Sequence, residues 1–513
     1  MPSDMPSLKL RTARTIKWNV IDRVSSQLLY AVTGIVLARI LSQEDFGLVG
    51  AIMVFQTFAT LFIDSGFSYA LIQRKNPTEV DYSTVLWFNV GVAVLIYAIL
   101  WFFAPFIAGL FQNDTRLIPL SRVMFLTFII NATAIVQTNR LMKRMEVKMI
   151  AVSNTLGLTA GAIVGIWLAV NGYGAWAVVW QTIVLASVKS LLLWITSHWL
   201  PVMRFSWSSL RSIFRIGSGI MASSFLNTLF QNIYSFFIGN RVGLVSLGYY
   251  TQADKWSKMG VSSLSQVLTS SFLPVLSGFQ DDRERFNRAT AKMNRFTAYI
   301  LFPAIGFLIV MAEPLFHLLF GTKWDASVIL FQLLLVRGIF TVLSSLYNNY
   351  ILALGRARLL VIMELVRDGV ALVAIFLTLP YIAVTFPDDM TYGVKILLWG
   401  QVIASALTWI VTLVVTAHVA SRNFWEYIAD MLPYVCETVV IMPIMAIMSQ
   451  LVDTPFLILC VQAVAGCGLY FAVNRVLHSR IQTDAMDYFM YRFRNRRVGK
   501  NKEKTPDNLN GIK

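Results

Sequence analysis

The chain has 513 residues, of which 57% are hydrophobic and only 14% are charged, and its formal net charge is +16. Soluble domains carry about 25% charged residues, so the composition excludes a single soluble domain and predicts an integral membrane protein. Lys and Arg lie in short clusters between apolar runs, and no nucleic-acid-binding motif is visible. We therefore predict membrane lipids as partners and no nucleic acid.

Apolar runs long enough to cross a bilayer recur along the whole sequence, from residues 16–40 to residues 455–475. Because one span needs about 20 residues, these runs predict an all-α polytopic membrane protein with about 14 transmembrane helices. Alternate connections are rich in Lys and Arg, as in residues 140–148, whereas the connections between them, such as Asn171–Ala175, contain few or none. This bias predicts that both termini are cytoplasmic.

Polar residues recur at intervals of three and four in the first predicted helix, which places them on one face. The face comprises Asn19, Asp22, Arg23, Ser26, Gln27, Tyr30 and Thr33. A charged side chain at the centre of a bilayer costs roughly 3 kcal/mol on insertion scales, so this face is expected to contact other helices or water. Four of these side chains are candidate substrate-binding residues: Asp22, Arg23, Gln27 and Tyr30.

The second predicted helix contains the step Asp64-Ser65-Gly66 about two-thirds of the way along it. A Ser-Gly step within a helix is typical of a bend. We therefore interpret this step as an architectural feature and do not include it among the candidate substrate contacts.

Two segments of the chain resemble each other. Residues 38–48 read ARILSQEDFGL and residues 239–249 read GNRVGLVSLGY, so Gly47 aligns with Gly248. Both follow a helix predicted to begin in the cytoplasm, so the repeat is parallel and predicts two pseudo-symmetric six-helix lobes. The predicted organisation is a cytoplasmic segment (1–15), an N-lobe (16–200), a C-lobe (201–420), two further helices (421–478) and a basic cytoplasmic tail (479–513).

Later spans also contain polar residues where lipid contact would be costly. The candidates among them are Asn227, Gln231, Lys255, Lys258, Arg337, Asn348, Glu364 and Arg367. Arg23, Lys255 and Arg337 are long cations within a polytopic bundle, and they suit an anionic head group such as pyrophosphate. The alternative interpretation is structural, because Glu364 and Arg367 can also neutralise each other within a bundle.

No catalytic or metal-binding signature is visible in the sequence. HExxH, GxSxG and Walker motifs do not occur, and the four histidines are scattered. We therefore predict no cofactor, no metal site and no ATP hydrolysis of the usual kind by this chain. Transport would be driven by a proton or sodium gradient, by the membrane potential or by substrate supply.

Five segments carry a family resemblance. They are VLARILSQEDFGL (36–48), DSGFSYALIQRK (64–75), LWFNVGVA (86–93), FLPVLSGFQDDRERF (272–286) and LFGTKWDASVILFQLL (319–334). Through these motifs the chain resembles the polysaccharide transport family of the multidrug/oligosaccharidyl-lipid/polysaccharide exporter superfamily. Within that family it is most similar to colanic-acid-type and O-antigen-type flippases.

The resemblance implies two six-helix lobes with helices 13 and 14 appended, which alternate between inward-open and outward-open states. It also implies the cargo, an oligosaccharide repeat unit on undecaprenyl pyrophosphate that crosses from the cytoplasmic to the outer leaflet of the bacterial inner membrane. Such a flippase supplies a surface polysaccharide, for example lipopolysaccharide O-antigen, capsule or an exopolysaccharide. The partners that it implies are a polysaccharide polymerase and co-polymerase. The resemblance also implies that the chain is not an enzyme and has no catalytic residue, because the family performs no bond chemistry.

Two other functions remain as alternatives. A drug exporter of the same superfamily would extrude small cations and would be expected to have an acidic cavity, whereas the cations described above favour an anionic cargo. A lipid-dependent membrane glycosyltransferase or polymerase is suggested by Glu44 and Asp45 in the first outer connection. Enzymes of that kind usually have large outer loops, and the outer connections of this chain are short.

Overall fold

A computed structural model shows an all-helical protein, with no β-strand in the part of the chain that it describes, which comprises residues 8–64, 67–269, 272–384, 386, 389, 391–479 and 481–483. The helices are α1 (Leu8–Ile40), α2 (Gln43–Asp64), α3 (Phe67–Gln73), α4 (Glu79–Leu110), α5 (Leu117–Met124), α6 (Leu126–Lys143), α7 (Val147–Val170), α8 (Trp176–Ser197), α9 (Trp207–Arg241), α10 (Leu244–Thr269), α11 (Phe272–Ser277), α12 (Arg283–Val310), α13 (Ala312–Phe320), α14 (Asp325–Ala353), α15 (Ala357–Thr378), α16 (Tyr392–Ala420), α17 (Phe424–Met448) and α18 (Pro455–Val476).

Twelve helical segments among the described residues are long and apolar enough to cross a membrane. The prediction of an all-α polytopic membrane protein is therefore confirmed, and the chain is a multi-pass membrane protein. Two further predicted spans coincide with α9 and α15, which are long enough but more polar. Four charged residues lie in α15, for example Glu364 and Arg367, and α9 includes the predicted polar face. The count of about 14 spans stays a prediction.

Three features predicted from the sequence lie partly or wholly outside the described residues. The bend predicted at Ser65 and Gly66 is one of them. The others are the first part of the N-terminal segment, residues 1–7, and most of the basic tail, residues 484–513. These interpretations stay predictions.

The described residues cluster into two compact units. The first unit is formed within residues 1–255, 319–330 and 375–398, and the second within residues 256–318, 331–374 and 399–513. The division into lobes near residues 200 and 420 rests on the sequence repeat and stays a prediction.

Small residues determine how α7 and α8 pack in the first unit. Gly157 and Gly161 lie one turn apart on α7 and face α8, and a Cβ at Gly161 would lie 2.7 Å from the carbonyl oxygen of Gln181. Helices in membranes associate through such small residues because the backbones can then approach closely. The close approach also places the backbone and Cβ of Lys189 against Gly157.

Aromatic side chains form much of the second unit's interior. Tyr347 and Tyr427 are buried, and their ring centroids are 5.7 Å apart in an edge-to-face arrangement. The Tyr347 hydroxyl donates to Asn294 Oδ1 at 3.1 Å, so its polar end is satisfied. Further along α12, Gly306 packs against Thr438 of α17. Close packing of α12 on α17 therefore anchors this unit.

Candidate functional site

A cluster of polar side chains joins α1 and α7 within their membrane spans. The Asn154 amide nitrogen donates to Asp22 Oδ1 at 3.1 Å and to Ser26 Oγ at 2.9 Å. The Ser26 hydroxyl also lies 3.4 Å from Asp22 Oδ1. Asp22 is about 12 Å along the span that begins at Arg14. The cluster therefore satisfies a carboxylate at a depth where contact with lipid would be costly.

Lys189 of α8 interacts electrostatically with Asp22. It is the only charged residue of its span, so an opposite charge on another helix is the partner that such a residue requires. The candidates from the sequence did not include Lys189 or Asn154. The isolated charge of Lys189 was a signal that could have found it, whereas a single amide such as Asn154 gives no such signal.

The other predicted site residues of the first unit are Arg23, Gln27, Tyr30, Asn227, Gln231 and Lys255. Two of them are brought together, because the Gln231 amide nitrogen donates to Asn227 Oδ1 at 3.1 Å along one exposed face of α9. Arg23 and Lys255 are exposed, Gln27 is half-buried, and Tyr30 is 46% exposed. Polar groups within a span require a protein partner, water, lipid head groups or a ligand, and substrate binding by these residues stays a prediction.

The predicted site residues of the second unit are Lys258, Arg337, Asn348, Glu364 and Arg367. Arg367 pairs with its neighbour Asp368 at 2.9 Å, while the Glu364 side chain is exposed. Arg337 is half-buried. Asn348 Oδ1 is buried and has no hydrogen-bond partner among the described residues. The roles proposed for these five residues stay predictions.

The two repeat segments contact each other reciprocally. A Cβ on Gly47 would overlap the carbonyl oxygen of Leu244, and a Cβ on Gly248 would overlap the carbonyl oxygen of Gln43. At the offset that aligns the two glycines, Gln43 aligns with Leu244. We call this pair of close approaches the reciprocal turn contact. Only glycine permits backbones to approach so closely, so the two aligned glycines serve the same structural purpose.

The connection between α13 and α14 holds one side of the reciprocal turn contact. Lys323 Nζ donates to the carbonyl oxygen of Leu41 at 2.6 Å, and Arg39 Nε donates to the carbonyl oxygen of Leu319 at 2.8 Å. The first bond satisfies a carbonyl group at the C-terminal end of α1, and the second satisfies one near the C-terminal end of α13; such terminal carbonyl groups have no partner within their own helix.

The connection between α4 and α5 holds the other side in the corresponding way. Asn240 and Val242 occupy the positions that align with Arg39 and Leu41. The Asn240 amide nitrogen donates to the carbonyl oxygen of Leu110 at 2.6 Å, and Gln112 Nε2 donates to that of Val242 at 3.4 Å. The sequence repeat thus corresponds to a repeated set of contacts, although the donor residues differ.

An ion-pair network lies beside the reciprocal turn contact. Arg116 pairs with Glu44 and with Asp114, and its hydrogen bonds lower the pKa of the Asp114 carboxyl group. The two carboxylates in turn raise the pKa of Arg116. Asp45 Oδ2 accepts hydrogen bonds from the backbone nitrogen and hydroxyl of Ser42. Both acidic residues that suggested a glycosyltransferase are therefore engaged in structural contacts.

Arg140 forms a compact cluster near the N-terminal end of α4 and the C-terminal end of α6. Its side chain is 8% exposed, and Nη1 donates to both carboxylate oxygens of Glu79, at 3.0 and 2.8 Å. The guanidinium carbon lies 4.8 Å from the ring centroid of Tyr82 and 5.1 Å from that of Trp199. Trp199 Nε1 also donates to Glu79 at 2.5 Å. The cluster thus fixes the connection that follows α8 to the start of α4.

We expect Arg140→Lys to destabilise the first unit by about 1–2 kcal/mol. Lys retains the charge, but it lacks the planar guanidinium group that lies near the rings of Tyr82 and Trp199. Unfolding of the purified protein in detergent by added dodecyl sulfate would measure the change. Arg144→Lys is the matched control, since Arg144 is exposed at the end of the same helix. Equal stability of the two variants would contradict the role assigned to Arg140.

The second unit contains a comparable cluster around Asp430. Arg295 Nε lies 2.7 Å from Asp430 Oδ1, and Arg422 Nη2 lies 2.7 Å from Asp430 Oδ2. The Arg422 guanidinium carbon also lies 4.4 Å from the ring centroid of Tyr427. This cluster ties the start of α17 to α12 and to the connection that precedes α17.

Comparison with known proteins identifies related sequences. A family described as "Polysaccharide biosynthesis protein" matches residues 36–329. The succinoglycan biosynthesis transport protein ExoT of Rhizobium meliloti is 27% identical over 364 residues, which cover 71% of this chain and 73% of that protein. The lipopolysaccharide biosynthesis protein WzxC of Escherichia coli is 26% identical over 352 residues, which cover 68% of this chain and 71% of that protein.

Two solved structures share the fold. The lipid II flippase MurJ in an inward closed conformation superposes with a TM-score of 0.71 at 16% sequence identity and covers 91% of this chain and 99% of its own. A multidrug resistance transporter of the MATE family, solved in an inward-facing conformation, gives a TM-score of 0.57 at 18% identity over 78% of this chain and 98% of its own. Both lie within the superfamily that the sequence motifs resemble.

Proposed function

The chain belongs to the polysaccharide biosynthesis protein family, and we propose on this basis that it is a flippase for a lipid-linked oligosaccharide. The cargo is a repeat unit on undecaprenyl pyrophosphate, which moves from the cytoplasmic to the outer leaflet of a bacterial inner membrane by alternating access. Both termini lie in the cytoplasm, and a polysaccharide polymerase and co-polymerase act on the product. The names of ExoT and WzxC, which refer to transport and to polysaccharide biosynthesis, support this proposal.

The observation that carries the proposal is the set of charged and amide side chains within otherwise apolar spans. Asn154 donates to Asp22 within the membrane-spanning part of the first unit, and Lys189 of α8 interacts electrostatically with Asp22. Ionisable residues in spans are costly and typically mark a pathway for a polar substrate. Arg23 and Arg337 add cations, which suit pyrophosphate because charge-assisted hydrogen bonds to phosphate are strong in a low dielectric.

The experiment that tests the proposal is a flipping assay in proteoliposomes. Purified protein is reconstituted with an undecaprenyl-pyrophosphate oligosaccharide, and a membrane-impermeant enzyme that modifies the sugar reports the leaflet that holds it. We expect protein-dependent movement between leaflets, with or without an imposed proton or sodium gradient. If the lipid-linked oligosaccharide does not move between leaflets under any gradient, the proposed flippase function is contradicted. A small-cation cargo would then be tested next.

Two arginine variants test the predicted substrate-binding cations, one in each unit. Arg23→Ala and Arg337→Ala are each expected to reduce flipping at least tenfold, because one charge-assisted hydrogen bond contributes about 1.5–3 kcal/mol. The matched control is Arg288→Ala, since Arg288 is 71% exposed and lies 3.8 Å from Glu284 in a surface pair. Normal flux in both test variants, with folded protein in the membrane, would contradict the site and leave the family assignment unchanged.

A further inference from the structure

A pocket of about 240 Å³ lies between α2, α3 and α6 of the first unit. Five of its lining side chains are polar but uncharged, and Phe128 and two isoleucines form the rest of the wall. The polar side chains are Thr60, Ser68, Asn131, Thr138 and Asn139. Its volume is slightly below the roughly 300–1,000 Å³ of sites for drug-sized ligands, so it suits a ligand the size of one sugar ring.

The polar groups of the pocket retain hydrogen-bonding capacity for a ligand. The Thr60 and Thr138 hydroxyls donate to carbonyl oxygens of their own helices, at 2.8 and 2.9 Å, which leaves the lone pairs of each oxygen to accept. The Asn139 amide nitrogen donates to Ser68 Oγ at 3.0 Å. Asn131 is exposed to the pocket, and its amide makes no hydrogen bond with any described residue. An amide offers two donors and one acceptor.

The absence of charge among the lining residues limits the chemistry of the ligand. No Lys, Arg, Asp or Glu contributes to the described wall of the pocket. A phosphate or a free cation would be poorly compensated here, because a charge in a low-dielectric site requires an opposite charge or several strong ligands. A neutral group with several hydroxyls matches the mixture of donors, acceptors and apolar wall.

We propose that this pocket binds one neutral polyhydroxylated group, as a subsite separate from the cations that would hold pyrophosphate. If the proposed flippase function is correct, that group is a sugar ring of the lipid-linked oligosaccharide. The other source of the same chemistry is the glycerol head group of phosphatidylglycerol.

The position of the pocket along the spans fits a cargo that is loaded from the cytoplasm. Asn131 and Thr138 lie about 18 and 8 Å from the end of α6 at Lys143, on the basis of the helical rise. The positive-inside bias predicts that this end faces the cytoplasm. The span of 27 residues from Leu117 to Lys143 is about 40 Å long, so the pocket lies between its cytoplasmic end and about its middle. A sugar loaded from the cytoplasm would reach the pocket on its way across the bilayer.

The test measures binding without transport. Methyl α-D-glucopyranoside and methyl β-D-galactopyranoside serve as probes, and saturation-transfer NMR detects their contact with the full chain in phosphatidylcholine nanodiscs. Asn131→Leu removes the amide and fills the pocket, and we expect it to weaken probe binding roughly fivefold to tenfold, the worth of one hydrogen bond. Asn131→Ser restores a polar group and should recover part of the binding. Asn171→Leu in an exposed connection is the matched control.

The outcomes separate this inference from the flippase proposal. Unchanged probe binding in Asn131→Leu would overturn the pocket assignment, whatever the flipping assay gives. Specific binding that survives replacement of phosphatidylcholine by phosphatidylglycerol identifies a sugar subsite. Binding that phosphatidylglycerol abolishes identifies a site for its head group, which supports the proposed chemistry and assigns it to lipid.

Discussion

Gly47→Ala is expected to populate conformations in which the reciprocal turn contact is broken. The new Cβ would overlap the carbonyl oxygen of Leu244, and both partners are backbone, so neither can move alone. Overpacking of this kind typically costs about 1–3 kcal/mol, which corresponds to a roughly 5- to 150-fold shift between two conformations. Under alternating access, the variant transporter is expected to spend more time open at the end where the α1–α2 and α9–α10 turns meet. It would therefore flip its cargo more slowly.

The shift can be measured as the accessibility of a buried position in the contact. Ser246 is 2% exposed, and a cysteine placed there should react faster with a membrane-impermeant maleimide in the Gly47→Ala background. The three native cysteines are exposed and would first be replaced by serine. Gly248→Ala should give the same result as Gly47→Ala. Gly248 contacts Gln43 as Gly47 contacts Leu244, and Gln43 and Leu244 occupy equivalent positions in the two repeat segments.

Gly91→Ala is the matched control for the glycine variants. A Cβ at Gly91 meets nothing within 4 Å, so the same chemical change is expected to leave accessibility and flipping unaltered. Glycine-to-alanine changes in a helix can even stabilise it slightly. If Gly47→Ala behaves like Gly91→Ala, the reciprocal turn contact has no influence on the distribution of conformations.

The helices were predictable because their signal is local. Runs of about 20 apolar residues identify spans without knowledge of their neighbours. The same criterion is weakest for α9, which is rich in polar residues, and for α15, which contains four charged residues. In α9 those residues include Asn227 and Gln231, which were themselves predicted to be functional. Both helices that are hardest to recognise as spans thus contain candidate site residues.

The polar face of α1 was predictable from its period, but its partners were not. Spacing places Asp22 and Ser26 on one side of the helix. Spacing gives no information on which helix lies opposite. The structure shows that Asn154 of α7 donates hydrogen bonds to Asp22 and Ser26, and that Lys189 of α8 interacts electrostatically with Asp22. These partners depend on the close α7–α8 packing at the glycines, which is a property of the folded bundle.

Clusters of residues that are far apart along the chain could not be predicted from the sequence either. The sequence places Arg140 in a predicted basic connection, where the positive-inside bias explains it without any specific contact. The structure shows instead that it is buried between Tyr82 and Trp199 and paired with Glu79. Composition records the charge of such a residue but not whether lipid head groups or protein groups surround it.

Asp430→Asn is expected to destabilise the second unit by about 3–5 kcal/mol, the usual cost of removing one partner from a buried ion pair. Asp430 is 5% exposed and Arg422 is 7% exposed, so water cannot replace the lost carboxylate. Arg422 Nη1 already has no hydrogen-bond partner within the described part of the chain. The remaining charge of Arg422 would be compensated only by Glu426, at 3.0 Å, and by the face of Tyr427.

The measurement is unfolding of the purified variant by dodecyl sulfate, with Glu284→Gln as the matched control. Glu284 is 87% exposed, and its pair with Arg288 is 3.8 Å long, so removal of its charge should change stability by at most about 0.5 kcal/mol. A double variant, Asp430→Asn with Arg422→Gln, should be more stable than Asp430→Asn alone, because it also removes the uncompensated cation. If the double variant is instead less stable by the sum of the single changes, the two residues act independently and burial of the pair does not explain the loss.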